Sequence, residues 1–265
     1  AKNFIKMKIA FIGAGNMGGA IAKGLYKSGL CKAEDLFISD PMQANRDAFT
    51  ALDSKIFTTA DNKEAVKKAD YVLIAVKPWL VETVCNDIKS AIDEKQHKVI
   101  SIAAGVSLDT VKGYIGKNVS YFRVLPNTAI ALLESMSFVC SLDATAEEQN
   151  VVLDIFNHLG KAIIIPESQM GAMTSVSSCG IAYALRFIRA AAEGACELGV
   201  RPDIAHEVVA QTMIGAAQLI LQNKTNPEVE IDKVTTPGGW TIKGLNAMEK
   251  NGFSNSVIQG ILANK

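Results

Sequence analysis

The chain has 265 residues, and its 27 basic side chains balance 27 acidic ones, a formal net charge of zero. That balance excludes a protein that holds nucleic acid by bulk charge, which needs an excess of Lys and Arg, and it argues against a polybasic membrane anchor. With 49% hydrophobic and 20% charged residues, the composition is that of a folded chain of one large or two modest domains.

From the N-terminus, Ala1–Lys6 carries two lysines and no apolar h-region, so no secretory signal is expected there. Lys8–Ile12, Val72–Val76 and Val99–Ala103 are short apolar runs, and Leu36–Ile38 is a shorter one. Such runs predict strands buried on both faces, as in a parallel sheet. Helical patterns fall between them, over Met17–Ser28, Asn45–Leu52, Asn62–Ala69 and Leu80–Ile92. The alternation predicts an α/β fold with a Rossmann-type doubly wound sheet. Further strands are expected at Tyr121–Leu125, Ser137–Ser141 and Lys161–Ile165, with a helix near Glu147–His158.

The character changes at Pro166. No strand is expected beyond it, and two long helical patterns follow, Met170–Leu198 and Ile204–Gln222. The expected domains are therefore a dinucleotide-binding domain over residues 1–165 and an all-helical domain over residues 166–265. Helices apolar on most sides need cover on all sides, and about 100 residues cannot supply it alone, so a second subunit is expected to cover them. The longest uncharged stretch, Ser168–Leu185, is too polar to span a bilayer, and no membrane partner is expected. Cys31, Cys85, Cys140, Cys179 and Cys196 are odd in number, widely spaced and form no CxxC. Neither a disulfide scaffold nor a metal site is expected, and a reducing, cytoplasmic compartment fits best.

Gly13-Ala14-Gly15-Asn16-Met17-Gly18 matches GxGxxG, directly after the expected strand ending at Ile12 and opening a helix. In that context Gly13 permits a tight turn, Gly15 lets a diphosphate approach the backbone, and Gly18 lets the helix pack on the sheet. The helix N-terminus offers free amides to the phosphates. Asp40 ends the second strand, 22 positions after Gly18, and has two readings. It can accept hydrogen bonds from ribose hydroxyls, which tilts NADPH or NADH slightly toward NADH. It can equally be a solvated N-cap before Pro41. Arg46, one to two turns on, is a candidate phosphate contact. Ala75-Val76-Lys77-Pro78 and Ala103-Ala104-Gly105 follow strand ends, where open parallel sheets bind ligands. The small residues of the second segment leave room for a flat ring.

Thr235–Thr241, with Pro237-Gly238-Gly239 at its centre, precedes a helical pattern running to Lys250. Paired glycines before a helix expose amides that can seat a small carboxylate, or they can form a plain flexible loop. His97, His158 and His206 suggest structural or exposed positions, and Cys179 a packed one without a base nearby.

The sequence resembles the pyrroline-5-carboxylate reductases. The likeness is carried by residues 13–18, Ala75–Pro78, Arg123-Val124-Leu125-Pro126-Asn127-Thr128, and the stretch from Ser177 to Phe253 with Thr236-Pro237-Gly238-Gly239-x-Thr241. It implies an NAD(P)H-dependent reductase of 1-pyrroline-5-carboxylate, whose helical domain interleaves with a partner to form dimers, which often build rings. The active site is then expected where a nucleotide domain meets the dimer's helices. By position, Thr241 matches a threonine contacting the substrate ring nitrogen, and Thr236, Gly238 and Gly239 match the carboxylate loop. Asn62 matches an asparagine near the adenosine ribose, and Asn127 falls among the expected cofactor residues. The chain departs from the family pattern at Ser178, Cys179 and Ile181 within Ser177–Tyr183, and at Leu125, Ala129, Trp240 and Asp40. Alternatives are a reductase of a related cyclic imine, a hydroxy-acid dehydrogenase of similar layout, or a nucleotide-sensing protein without activity. The dehydrogenase chemistry commonly uses a lysine early in the helical domain, and residues 166–198 contain none.

Overall fold

The computed structural model describes residues 7–264; the expectation about Ala1–Lys6 lies outside them. Among the described residues, eight strands form one sheet: β1 (Ile9–Ile12), β2 (Leu36–Ser39), β3 (Phe57–Thr59), β4 (Tyr71–Ile74), β5 (Lys98–Ser101), β6 (Ser120–Leu125), β7 (Ser135–Leu142) and β8 (Gly160–Ile164). Their order is β3-β2-β1-β4-β5-β6-β7-β8, parallel throughout except for β6 against β7. Ile9 stands opposite Leu36 on one side and Tyr71 on the other, so the chain leaves β1 at the point where the strand order reverses. Ligands of open parallel sheets bind at the carboxyl ends of such a switch point.

Side chains alternate across this sheet, and both faces are covered. Ile9, Phe11, Leu36, Ile38 and Leu73 share one core with α1 (Asn16–Lys27), α2 (Gln43–Leu52) and, later in the chain, the helix Ala146–Asn157. Ala10, Ile12, Val72, Ile74 and Val99 share the other with α3 (Asn62–Val66), α4 (Val81–Ile88) and α5 (Leu108–Ile115). This double burial explains why the central strands β1 and β4 read as nearly continuous apolar runs. The helix Ala146–Asn157, α6, starts at a capping box. The Thr145 hydroxyl accepts the Glu148 amide (3.2 Å), and the Glu148 carboxylate accepts the Thr145 amide (3.0 Å).

The chain divides into two compact units after Ser177. Unit one ends in α7 (Met170–Met173) and a π-helical turn, Thr174–Ser178, whose last residue already belongs to unit two. The single helix expected over Met170–Leu198 is therefore interrupted there. Unit two holds α8 (Cys179–Glu197), α9 (Pro202–Asn223), α10 (Pro227–Lys233), α11 (Trp240–Lys250) and α12 (Phe253–Leu262). In α8, Phe187 meets Phe253 of α12 edge to face at 6.2 Å, and the Tyr183 hydroxyl donates to the Gly260 carbonyl (3.2 Å). Helix α9 carries exposed Val208, Ile214, Leu219 and Leu221, and is long and apolar enough, by length and composition alone, to cross a bilayer. Its polar residues Asp203, Glu207, Gln211, Gln218 and Gln222 recur at four- and seven-residue steps, which gathers them on one stripe.

Two elements of unit one were not anticipated. β3 is three residues long, two of them threonines, and α5 is a short helix defined mainly by its caps, Ser107 and Gly116. In unit two, α10 and α12 were likewise not anticipated.

Candidate functional site

The glycine turn assigns each glycine a separate job. Gly13 has a φ of +99°, and a Cβ there would come within 2.7 Å of the Ala75 carbonyl oxygen. A Cβ at Gly18 would collide with the Gly13 carbonyl oxygen and lie 2.7 Å from the Ala75 Cβ, so α1 sits directly on the turn. Gly15 has an ordinary φ of −67°, and nothing lies within 4 Å of where its Cβ would be. Neither conformation nor packing inside the protein demands glycine there, which leaves room for a ligand as the physical reason. Gly15 is also the N-cap of α1, with no side-chain cap and no acidic residue in the first turn, so the amide end is open to an anion.

A cleft of about 980 Å³ opens at this end of the sheet. Of the residues expected at a cofactor, Ile12, Gly13, Gly15, Asn16, Met17, Asp40, Asn62, Ala75, Val76, Lys77, Pro78, Ala103 and Ala104 line it. Ala14, Gly18, Gly105 and Asn127 do not. The Ala14 amide instead donates to Asp40 (2.8 Å), and the Asn127 side chain caps the turn Thr128–Leu132 and donates to the Ser177 hydroxyl (3.0 Å). The sequence reading missed Met42, Asn45, Thr83 and Thr128, which also line the cleft. Thr128 had a signal in the Pro126-Asn127-Thr128 match, and Met42 and Asn45 in the turn that follows Asp40.

Asp40 is not the solvated N-cap of α2. It is 5% exposed, and the N-cap is Met42. One carboxylate oxygen accepts the Ala14 amide and the other the Met42 amide, each at 2.8 Å. The carboxylate thus braces the glycine turn while facing the cleft. Arg46 donates to the carbonyls of Asp40 (2.6 Å) and Pro41 (3.0 Å) and to the Gln43 side chain, which holds its guanidinium on the same turn. Asn62 is held at both ends: its Oδ1 accepts from the Ser39 hydroxyl (2.7 Å) and its Nδ2 donates to Asp87 (3.0 Å).

Within unit two, Thr236–Gly239 forms a tight turn. The Gly239 amide donates to the Thr236 carbonyl (3.0 Å), with Pro237 in the second position and Gly238 in the third at a φ of +68°. That is the residue pattern of a type II turn, which needs a left-handed third residue. Gly239 is then the N-cap of α11, again without a side-chain cap or an acid in the first turn. A Cβ at Gly239 would collide with the Thr236 hydroxyl. Thr241 is the second residue of α11, and the neighbouring Trp240 is 92% exposed.

No histidine takes up a catalytic arrangement among the described residues. Buried His97 accepts the Asp93 amide at Nδ1 (2.8 Å) and meets the Val66 carbonyl at Nε2 (3.0 Å), and His206 bonds the Pro202 carbonyl (2.7 Å). The thiols of Cys31 and Cys85 are pushed up to about 12, and that of Cys140 to about 11, by burial above all. They are not nucleophiles near neutral pH.

Strand, glycine turn, uncapped helix and a cleft at the β1/β4 switch point define an oxidoreductase-type Rossmann domain, followed by a helical unit. The family model described as pyrroline-5-carboxylate reductase dimerisation matches residues 167–265, and one described as NADP oxidoreductase, coenzyme F420-dependent, matches residues 8–105. The chain is 36% identical over 273 residues to pyrroline-5-carboxylate reductase 2 of Dictyostelium discoideum, covering 96% of this chain and 89% of the relative. To pyrroline-5-carboxylate reductase 1 of the same organism it is 37% identical over 267 residues, but it spans only 48% of that longer relative. The crystal structure of Plasmodium falciparum pyrroline carboxylate reductase with NADP bound superimposes with a TM-score of 0.85 at 28% identity, covering 97% of this chain and 95% of that one. The chain belongs to the pyrroline-5-carboxylate reductase family.

Proposed function

We propose that this protein reduces the C=N bond of 1-pyrroline-5-carboxylate to give L-proline, with NADH or NADPH as the reductant. The observation that carries this is the pairing, in one family member, of a cleft left open at Gly15 with an uncapped carboxylate-type turn at Thr236–Thr241. The open face of Gly15 and the free amides of α1 fit a diphosphate. When bound, the nicotinamide supplies the hydride, and the protein supplies orientation.

Gly15, Asn16 and Met17 hold the diphosphate, with Lys77 as the nearby cation of the cleft. Asp40 and Asn62 serve the adenosine ribose, and Ala103 and Ala104 leave space for the ring. Each Asp40 oxygen keeps one lone pair beyond its backbone partner, enough for a ribose hydroxyl. Its charge opposes a 2′-phosphate, which favours NADH modestly over NADPH. In unit two, Thr236, Gly238, Gly239 and the amides of α11 hold the substrate carboxylate, and Thr241 donates to the ring nitrogen. A threonine hydroxyl is a poor acid, so Thr241 orients the imine, and the net proton comes with a protonated iminium or through water. Holding the reacting carbon at near-attack distance supplies much of the acceleration.

Residues 1–165 act as the nucleotide domain and 166–265 as the substrate and dimerisation domain. The protein works in the cytoplasm as a dimer, with rings of dimers as the larger assembly. The apolar surface of α9 meets another copy rather than lipid, because its polar stripe would face acyl chains in a bilayer.

Steady-state kinetics with both reduced cofactors test the assignment. Cofactor oxidation on addition of pyrroline-5-carboxylate is expected with at least one of them, and Thr241→Ala lowers kcat about tenfold or more while cofactor binding holds. No turnover with either cofactor overturns the function, and an unchanged rate in the variant overturns the role of Thr241. Hydroxy acids and other cyclic imines in the same assay separate the alternative substrates.

A further inference from the structure

Asn62 opens α3 and lines the cleft, whereas Asp87 lies on α4 outside the lining residues. An amide side chain can present either end to a neighbour, and its sense is fixed only by partners that cannot serve both. Ser39 does not fix it, because a hydroxyl both donates and accepts. Asp87 does, because a carboxylate only accepts: turning the amide over would set Oδ1 against Asp87 Oδ2, which now receives Nδ2 at 3.0 Å. The other Asp87 oxygen pairs with Lys63 Nζ at 3.1 Å. The Asn62 hydrogen bond first, and Lys63 after it, hold the Asp87 carboxyl below its usual range, so it stays an acceptor at neutral pH.

We propose that Asp87 is a positioning residue for the cofactor: by admitting only the N–H end of Asn62, it sets which donor and which acceptor the cleft shows to the adenosine ribose. This takes the cleft as the cofactor's seat, as above. The unused Nδ2 hydrogen and the unused Oδ1 lone pair then stand in one order. Without Asp87 the amide populates both senses, and only one of them matches the ribose.

The experiment measures NADH and NADPH dissociation constants by fluorescence titration, with kcat alongside, for Asp87→Ala, Asp87→Glu, Asn62→Ala and the Asn62→Ala/Asp87→Ala double variant. Asp87→Ala is expected to weaken binding about threefold to tenfold with kcat changed less than about twofold. Asp87→Glu recovers most of the loss, and the double variant binds no worse than Asn62→Ala alone, since the two act through one contact. If Asn62→Ala weakens binding and Asp87→Ala does not, or if the losses simply add, the positioning role is overturned while the cleft assignment stands. If Asn62→Ala itself leaves binding unchanged, Asn62 is not a cofactor contact, and both fall together. Asp87→Glu keeps the charge and the Lys63 pair, so weak binding in it at unaltered melting temperature also overturns the role.

Discussion

At the scale of single residues, three glycines within six positions are not equivalent. An alanine methyl at Gly18 has to displace the Gly13 carbonyl and the Ala75 side chain, an overpacking that costs about 1–3 kcal/mol. A methyl at Gly15 meets nothing in the protein. Gly15→Ala should therefore unfold in urea within about 0.5 kcal/mol of the parent while its cofactor KM rises about tenfold. Gly18→Ala should instead lose stability. Equal loss of stability in both would show that the open face of Gly15 is not reserved for a ligand. This division was legible in the motif, because its spacing places each glycine against a different neighbour. The brace from Asp40 to Ala14 and the tie from Asn62 to Asp87 were not. They join positions 26 and 25 residues apart through side-chain orientations that a linear pattern does not encode.

Among the elements, β1 and β4 were readable because nothing polar interrupts Ile9–Ile12 or Val72–Ile74, and β5 because Ser101 alone breaks the run Val99–Ala103. β3 escaped notice because Phe57-Thr58-Thr59 is too short and too polar to stand out, and α5 because its eight residues depend on caps more than on periodicity. The connection before the Thr236–Gly239 turn is organised by Glu230 of α10. Its Oε1 accepts from the Thr225 hydroxyl (2.6 Å), Lys233 (3.0 Å) and the Asn223 amide (3.2 Å), joining the end of α9 to α10. These donors, Thr225 foremost, lower its carboxyl from 4.5 to about 2. A carboxyl depressed on folding contributes stability above its unfolded value, and that contribution disappears as pH falls toward the folded one. The contribution of Glu230 is therefore complete above about pH 5 and gone near pH 2. Glu230→Gln should melt below the parent at neutral pH, with the gap closing between those values. Melting curves that stay parallel down to pH 2 would remove Glu230 from this role.

For the whole molecule, the decisive feature is apolar surface that one chain leaves uncovered. Burying a fully exposed Leu or Ile is worth about 1.5–3 kcal/mol, and Ile204, Ile214, Leu219 and Leu221 of α9, each about half exposed, offer roughly half of that apiece. Self-association follows, consistent with the dimerisation model that matches residues 167–265. The sequence pointed to this through composition, since α8 and α9 are too apolar for the amount of chain available to cover them. It could not show which side chains remain outside, because that depends on how the five helices of unit two share their faces. Ile214→Glu should shift the protein toward monomer in light scattering at micromolar concentration and lower its melting temperature. A monomeric parent protein, or a variant that associates as before, would move the interface off α9.

The position of Asp40 has a consequence for any attempt to re-engineer coenzyme choice. The same carboxylate that would discourage an extra phosphate is also an anchor for the glycine turn, through the Ala14 amide. Swapping it for a small hydroxyl residue would change selectivity and slacken the grip at once. A route between the two coenzymes in this scaffold must carry a compensating substitution that gives Ala14 a new acceptor.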